Sequence, residues 1–498
     1  MDSERSTKGL ASIMKVEVNI REYDGTLDLR RADELEKQCE AGPGGGASLF
    51  TDLLGDPLCR VRQYPAFAML VAETVSERAI VGLVRAGVKK VLRVPQAVER
   101  RSNSSDGSSC KSEISMLSDT DAASARNDHL PFFVTIAYIL GLRVAPKYRR
   151  LGIGAELVKK MEQWCKTKGA EYVYIATEKD NAASVALFTK KLGYIEFRNP
   201  AILLQPVYVR CKRLCKKRIR IVELTAEEAR NFYRQLSIFG KSEFFPMDIE
   251  DVVRSRLHKG TWLAVCKGED ESRCPDCFGG YGVTVKETYS KCQNEESMHR
   301  FNGVRDSNVH TGSKNEGIHC GRDSQSNAKE ERRFIFGPSC TESTSCSSWA
   351  IISIWKCNHI YKLQMKGAPL YMRAAGAASR MVGHMLSPLI SIPTMPNVFQ
   401  PFGLQLIYGL HAQGPHGLRL LNQLCWLAHN LAKEEGCAFV AAEVARNDPI
   451  RRAIPHWTCD DDMWCIKRLS DSSRSSLDIT DWLQAHPVPS LFLDPRDF

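Results

Sequence analysis

The stretch 140-LGLRVAPKYRRLGIGA-155 decides the fold of this chain. An apolar run of strand length, residues 133–140, leads into it, and apolar residues recur at helical spacing from Ala155 onwards. The pattern predicts a strand, a turn that contains Gly152 and Gly154, and the start of a helix. Residues 149–155 contain no proline, so all their backbone N–H groups can donate hydrogen bonds. Because a helix N-terminus attracts anions, we expect a phosphate-binding turn here.

The turn contains the pattern Arg-x-x-Gly-x-Gly, formed by Arg149, Gly152 and Gly154. It is not a Walker loop, because no Gly-Lys-Ser/Thr follows it, and it lacks the Gly-x-Gly-x-x-Gly spacing of dinucleotide-binding turns. It resembles the acetyl-CoA loop of the GNAT acetyltransferase superfamily. A second block, residues 176–194, resembles the superfamily's later motif of a strand end, an asparagine, a short helix and Leu-Gly-aromatic. The alternative interpretation is an ordinary βαβ unit with a glycine turn.

Composition sets the class of protein. The chain has 498 residues, of which 43% are hydrophobic and 25% charged, as in ordinary globular proteins. The first residues contain no apolar segment of the signal-peptide kind, so we do not expect secretion, and the 18 cysteines then indicate reduced thiols. No apolar run approaches the roughly 18 residues of a membrane span, so no membrane partner is expected. The formal charge of +10 favours acidic partners only weakly.

The order of motifs repeats along the chain. Gly141 and Asn181 are 40 residues apart, and Gly409 and Asn447 are 38 residues apart. Comparable strand and helix patterns precede each glycine, which predicts an α/β fold with a mixed α+β sheet in two tandem GNAT-like units. The alternative is two unrelated α/β units.

The predicted boundaries follow composition. The first unit covers residues 15–211, a basic linker covers 212–217, and the second unit covers 218–498. Two polar inserts, 95–128 and 268–347, have too few apolar side chains to offset the entropy of ordering, and we expect them to be disordered. The basic linker lacks interleaved aromatic residues, so direct binding of nucleic acid is not expected. The pair Cys274 and Cys277 would be half a zinc site without a matching second pair, so no metal is expected.

Most of the chain outside the inserts resembles the Hookless-like N-acetyltransferases of plants. The resemblance is carried by residues 18–28, 49–57, 138–144, 175–181, 243–246, 443–445, 451–457 and 464–469. It implies the GNAT fold, acetyl-CoA as donor and transfer to a protein amine, with histone lysine as one candidate. It also implies a nuclear role in plant growth control, with a cytoplasmic pool and an oligomeric state left open.

The resemblance also implies a donor site. Backbone groups of Leu142, Arg143 and Val144 would align the pantetheine and polarise the thioester carbonyl, the turn would hold the pyrophosphate, and Asn181 would bind the pantetheine arm. The implied acetyl-CoA residues are Leu142, Arg143, Val144, Arg149, Arg150, Leu151, Gly152, Ile153, Gly154, Ala155 and Asn181.

The proton-transfer groups are less well defined. Many relatives have a general-acid tyrosine four residues before the glycine of the Leu-Gly-aromatic motif, whereas this chain has Thr189, a far weaker acid. Glu178 is the nearest candidate for the catalytic base, although a charged residue at a strand end is more often structural. A protein that keeps the fold without turnover is therefore the alternative to an active N-acetyltransferase.

The second unit is predicted to have lost the donor site. Its turn, residues 411–418, keeps Gly414 and Gly417 at a different spacing and has no arginine at the position of Arg149. Pro415 has no N–H to donate. A lost charge-assisted hydrogen bond costs about 1.5–3 kcal/mol, which is roughly one to two decades of affinity.

Overall fold

The computed structural model describes most of the chain outside the two predicted inserts. The described residues are 17–39, 48–93, 132–208, 210–215, 219–235, 242–266, 282–284, 333–335, 348–386, 396–469, 482–483 and 490–498. The predicted insert 95–128 lies outside them. So does the predicted insert 268–347, apart from one short antiparallel strand pair, 282–284 with 333–335. The disorder of these inserts therefore stays a prediction.

The secondary structure alternates between strands and helices. The strands are β1 Val18–Glu22, β2 Ser48–Asp52, β3 Ala66–Thr74, β4 Ile80–Arg93, β5 Phe132–Val144, β6 Tyr172–Glu178, β7 Ile195–Arg198, β8 Pro200–Pro206, β9 Ile219–Leu224, β10 His258–Cys266, β11 Gly282–Thr284, β12 Arg333–Ile335, β13 Trp349–Trp355, β14 Lys362–Lys366, β15 Leu404–Gln413, β16 Phe439–Ala445 and β17 Thr458–Arg468. The α-helices are α1 Leu29–Gln38, α2 Ile153–Thr167, α3 Ala182–Val185, α4 Ala226–Tyr233, α5 Ile249–Arg254, α6 Leu370–Leu386 and α7 Gly417–Glu434. No helix in these ranges is long and apolar enough to span a membrane.

The two halves build the same arrangement of strands. From each outer edge inwards, the sheet order is β1-β3-β4-β5-β6 in the first half and β9-β10-β13-β15-β16 in the second. Within each half only the last pair is parallel, and α2 or α7 connects its two strands. This repeat confirms the predicted α/β fold of two tandem GNAT-like units.

The last strands of the two halves are exchanged. β17, from the second half, lies between β6 and β8, and it pairs antiparallel with β6 from Asp462 opposite Glu178 to Arg468 opposite Tyr172. β8, from the first half, pairs antiparallel with β16 of the second. The main sheet therefore includes strands from both predicted units. The predicted division into 15–211 and 218–498, with the linker 212–217, stays a prediction.

β5 separates two layers of core, because successive strand residues point to opposite faces. Ala137 and Ile139 pack with the apolar side of α2, which includes Leu157 and Met161. Tyr138, on the other face, packs with aromatic residues that include Tyr174 and Trp464. The apolar run that predicted this strand is thus explained by burial on both faces.

A buried ionic network joins the segment 490–498 to the first half. The Asp497 carboxylate accepts hydrogen bonds from Lys89 Nζ at 2.6 and 2.7 Å and from the hydroxyls of Tyr64 and Tyr174, each at 2.6 Å. Lys89 Nζ also lies 3.0 Å from Asp494, and the side chains of this lysine and aspartate are fully buried. The segment is therefore fixed against β4 and β6 by charge as well as by packing.

We expect Lys89→Met to destabilise the protein by about 3–5 kcal/mol, because it leaves the buried Asp497 carboxylate without its cation. Urea unfolding of the full chain measures the change in the free energy of unfolding. Lys90→Met is the matched control, since Lys90 is adjacent and exposed, and its effect should stay within about 0.5 kcal/mol. Equal losses in the two variants would contradict the role of the network.

Candidate active site

The site begins where β5 and β6 separate. Their parallel ladder pairs Ile136 with Tyr172 and ends at Tyr138 with Tyr174. Beyond that point β5 contains a bulge, since Gly141 has φ of +61° and the register with β4 shifts there. A bulge bends the strand and increases its local twist. The carboxyl ends of β5 and β6 therefore part and open a cleft.

This cleft is part of a cavity of about 1120 Å³ whose walls come from both halves of the chain. The residues after the bulge on β5, the turn before α2 and the end of β6 form one wall. Another wall consists of Glu443 in β16, Trp457 just before β17, and Asp462 in β17. The volume slightly exceeds the roughly 300–1,000 Å³ of typical small-ligand pockets, so it can hold a donor together with part of an acceptor.

Nearly all of the predicted donor-site residues border this cavity. They are Leu142, Arg143, Val144, Arg149, Arg150, Gly152, Ile153, Gly154, Ala155 and Asn181. Leu151 is the exception, since it is not among the cavity residues and is 46% exposed. The sequence motifs thus lie together in space, whereas the binding role of each residue stays a prediction.

The turn before α2 has the backbone geometry of an anion site. Arg150 and Gly152 have φ of +68° and +90°, and alternating conformations of this kind turn successive N–H groups towards one point. The first bond of the helical ladder runs from Glu156 N–H to Gly152 O at 3.2 Å. The amides of Ile153, Gly154 and Ala155 therefore precede the ladder and are available to an anion. These groups fit the pyrophosphate of a CoA thioester.

Two other predicted positions have local structural contacts. Asn181 caps α3, because its Oδ1 accepts a hydrogen bond from Ser184 N–H at 3.1 Å, while the residue also borders the cavity. The Thr189 hydroxyl donates to Val185 O at 2.7 Å, and Thr189 is not among the cavity residues. The position that carries a general-acid tyrosine in many relatives is therefore occupied here by a residue bonded to its own helix.

Four acidic residues border the cavity in addition to the predicted donor-site residues. Glu178, the predicted base, borders the cavity at the exposed end of β6. Glu443, Asp462 and Asp497 also border it, and Glu443 is 8% exposed. Burial raises the pKa of the Glu443 carboxyl well above its usual value, and the negative charges of Asp462 and Asp497 raise this pKa further. Glu443 therefore holds a proton more tightly than an exposed carboxylate does.

Comparison with known proteins identifies the family. The acetyltransferase (GNAT) family model matches residues 122–194. A protein named probable N-acetyltransferase HLS1, from Arabidopsis thaliana, is 38% identical over 96% of this chain and 99% of its own length. The chain belongs to the GNAT acetyltransferase family. An HLS1-like probable N-acetyltransferase from the same plant is 39% identical over 97% of this chain and 100% of its own length. The acetyl transferase GW6a of Oryza sativa subsp. japonica is 31% identical over 98% of this chain and 99% of its own length.

The chain is thus an acetyltransferase of the GNAT family, and the resemblance to Hookless-like proteins is confirmed. Within the described residues no group of three or more His, Cys, Asp or Glu side chains could hold a metal ion. The predicted half site of Cys274 and Cys277 lies outside those residues, so the expectation of no metal stays a prediction.

The second GNAT-like cleft is closed. β15 and β16 pair from Leu404 with Phe439 to Ile407 with Ala442, and Gly409 has φ of +59°, the counterpart of Gly141. The remaining space there is a cavity of about 20 Å³, bordered by residues 490–493. That volume suffices for little more than one water molecule.

Two backbone positions of the second turn cannot donate a hydrogen bond to a ligand. The His416 N–H donates to the Ser348 hydroxyl at 3.0 Å, and Pro415 has no N–H. The Tyr233 hydroxyl donates to the carbonyl of Gly409 at 3.3 Å, which fills the position beside the bulge. These contacts support the prediction that the second unit does not bind the donor.

We expect full-length protein to bind one acetyl-CoA per chain, and Gly154→Glu to weaken this binding at least tenfold by placing a negative charge beside the phosphates. Isothermal calorimetry measures stoichiometry and affinity. Gly154→Ala is the matched control, because a Cβ at this position meets its nearest neighbours, Val144 and Leu142, at 3.5 and 3.7 Å, an ordinary contact distance. Two sites per chain, or unchanged affinity in the glutamate variant, would contradict the assignment.

We expect Glu443→Gln to become more stabilising as the pH rises. The raised pKa means that the contribution of Glu443 to stability is fully present below its unfolded-state pKa of about 4.3 and is lost as the pH rises through the folded-state value. Glutamine cannot ionise and avoids this loss. Melting temperatures between pH 4.5 and 9 test the trend, with the exposed Glu156→Gln as control. A constant difference between Glu443→Gln and the unmutated protein across this range would argue against the buried carboxyl.

Proposed function

We propose that this chain transfers the acetyl group of acetyl-CoA to the amine of a protein substrate. One observation carries the proposal: a single cavity joins the anion-binding turn before α2 to Glu443, a buried acidic residue from the other half of the chain. A donor with phosphates and an acceptor amine can therefore meet in the same cavity. Bringing both reactants together contributes up to about 7–11 kcal/mol to acceleration in favourable cases.

The first half holds the donor. The amides of Ile153, Gly154 and Ala155 and the side chains of Arg149 and Arg150 bind the pyrophosphate. Bound acetyl-CoA supplies the activated acyl group as a thioester. The backbone of residues 142–144 borders the cavity beyond the end of the β5–β6 ladder, so it can align the pantetheine and stabilise developing charge on the thioester oxygen. Asn181 lies beside this path.

The second half supplies the proton acceptor. An amine attacks only in its neutral form, so the ammonium of the acceptor must lose a proton. Glu443 fits this role because its carboxylate is buried in the cavity wall and has a raised pKa, which makes it a better base than an exposed carboxylate. The acceptor ammonium gives one proton to the Glu443 carboxylate. The neutral amine then forms a bond to the acetyl carbon as the C–S bond breaks, and the departing CoA thiolate takes up the second proton of the nitrogen by way of solvent. Glu178 remains the second candidate, at the exposed end of β6.

The proposal that the acceptor is a protein amine rests on the resemblance of this chain to the Hookless-like proteins. The relatives are named as N-acetyltransferases, and the Hookless-like resemblance implies a protein amine, with histone lysine as a candidate, in the nucleus and in plant growth control. The acidic cavity wall is compatible with a lysine ammonium. A non-catalytic scaffold that only binds acetyl-CoA is the alternative, favoured by Thr189 at the position of the usual general acid.

We expect purified full-length protein to transfer the acetyl group of labelled acetyl-CoA to lysine-containing peptides from nuclear proteins, with mass spectrometry to locate the modified amine. Glu443→Gln should lower kcat by about 10²–10⁴ while acetyl-CoA affinity stays unchanged. Gly154→Ala is the control for a neutral change in the cleft. For the unmutated protein, kcat should rise with pH until Glu443 is ionised. Stoichiometric acetyl-CoA binding without transfer to any amine would support the scaffold instead.

A further inference from the structure

Arg60 is a cation of the cavity that has no ion pair among the described residues. Arg60 lies in the segment between β2 and β3, and its guanidinium reaches the cavity wall. The Nε of Arg60 is buried and has no hydrogen-bond partner among the described residues. The ring of Tyr361, whose centroid lies 5.7 Å from the guanidinium carbon, is its cation–π contact. A buried N–H group without a partner is unfavourable, so a ligand that accepts a hydrogen bond from it relieves this cost.

Four buried cations among the described residues are paired with a carboxylate, unlike Arg60. Lys89 contacts Asp497 at 2.6 Å, and Arg198 contacts Glu243 at 2.9 Å. Arg85 likewise contacts Glu36, and Arg496 contacts Asp248, each at 2.6 Å. No ion pair of Arg60 occurs in the part of the chain that the structure describes. The carboxylates of the fold thus neutralise these four cations, whereas no carboxylate of the described residues neutralises Arg60.

The side chains near Arg60 cannot supply the missing charge. Its closest electrostatic partners are Tyr361, Tyr138 and Cys59. Burial raises the pKa of the Cys59 thiol to about 11 and also raises the pKa of the hydroxyls of Tyr138 and Tyr361, so all three are neutral at physiological pH. The guanidinium therefore presents a full positive charge in a region of low dielectric, where attraction to an anion is strong.

The position of Arg60 separates it from the phosphate turn. Tyr138 is the last residue of β5 in the ladder with β6, at the closed end of the cleft. The turn before α2 follows Val144, which lies six residues further along the strand, beyond the bulge at Gly141. The pyrophosphate has its own donors there. An anion at Arg60 therefore belongs to the acceptor.

We propose that Arg60 binds a carboxylate on the acceptor, so that the substrate is an amine that carries a carboxylate close to the reacting nitrogen. This inference rests on the proposed function and deepens it. The cavity then offers opposite charges to opposite ends of the acceptor: Glu443 to the ammonium and Arg60 to the carboxylate. The guanidinium can bind a carboxylate through two parallel hydrogen bonds, which fixes orientation as well as charge. The carboxylate comes either from an acidic residue beside the acetylated amine of a peptide or from a free amino acid.

Binding of acetylated products tests this without depending on turnover. Three pairs of probes are used, and within each pair one probe has a carboxylate where the other has a carboxamide. The first pair is peptides that begin N-acetyl-Ser-Glu or N-acetyl-Ser-Gln, and the second is peptides with acetyl-lysine followed by Glu or Gln. The third pair is free N-acetylglutamate and N-acetylglutamine. Calorimetry on the full chain with saturating CoA gives each affinity. We expect the acidic member of at least one pair to bind tenfold or more tightly, and that pair identifies the source.

Variants assign the preference to Arg60. Arg60→Gln should reduce the affinity of the acidic probe to that of its amide partner, and Arg60→Lys should retain part of the preference. Arg62→Gln is the matched control, since Arg62 lies two residues away, is exposed and pairs with Asp56 at 2.7 Å outside the cavity. It should keep the full preference. Melting temperature and acetyl-CoA affinity verify that each variant is folded.

The outcomes are distinct from those of the transfer assay. No preference for the acidic probe in any pair, or a preference that survives Arg60→Gln, overturns the proposal even if the protein acetylates peptides. A preference that disappears only in Arg60→Gln supports it. Absence of acetyl transfer to every amine, with the acidic preference intact, would refute the proposed catalysis and leave the carboxylate subsite standing.

Discussion

The backbone ladder between β17 and β6 is the interaction on which the rest of the structure depends. It runs over seven residue pairs and places a strand from the end of the chain inside the sheet of the first half. Because β17 also pairs with β8, and β8 with β16, the same ladder joins two GNAT-like sheets into one. A strand in the middle of a sheet has both rows of backbone groups paired, so neither half can be complete without the other.

This exchange brings the second half to the active cleft. β5 and β6 would part in any GNAT unit with a bulge at Gly141, but the cavity that results is closed by Glu443, Asp462 and Trp457. In the proposed mechanism the acceptor side of the reaction is thus built by the second unit, whose own cleft is closed. The buried pair of Lys89 and Asp497 holds the segment 490–498 beside the same cavity.

The clefts of the first and second units differ in how much of their space the chain itself fills. Gly141 and Gly409 have nearly the same positive φ, so both units keep the bulge that parts their parallel strands. In the first the space is open to about 1120 Å³, whereas in the second residues 490–493 reduce it to about 20 Å³. Filling an apolar cleft with chain contributes burial, at roughly 25 cal/mol per Å². The filled cleft of the second unit therefore stabilises the fold, and in the proposed mechanism this unit also forms the acceptor wall.

Sequence alone determined the strand, turn and helix around Gly152 and Gly154, the repeat of that pattern and the weak donor turn at Pro415. These features depend on local periodicity, on φ and on the presence of an N–H, which neighbouring residues decide. All of the donor residues that the sequence predicted border the cavity except Leu151, whereas their binding roles stay predictions. Only the tertiary structure decided that β8 and β17 change places and that Glu443 and Arg60 face one cavity. Strand pairing between distant segments depends on which edges and side chains fit after folding, and no local pattern in the chain records that choice.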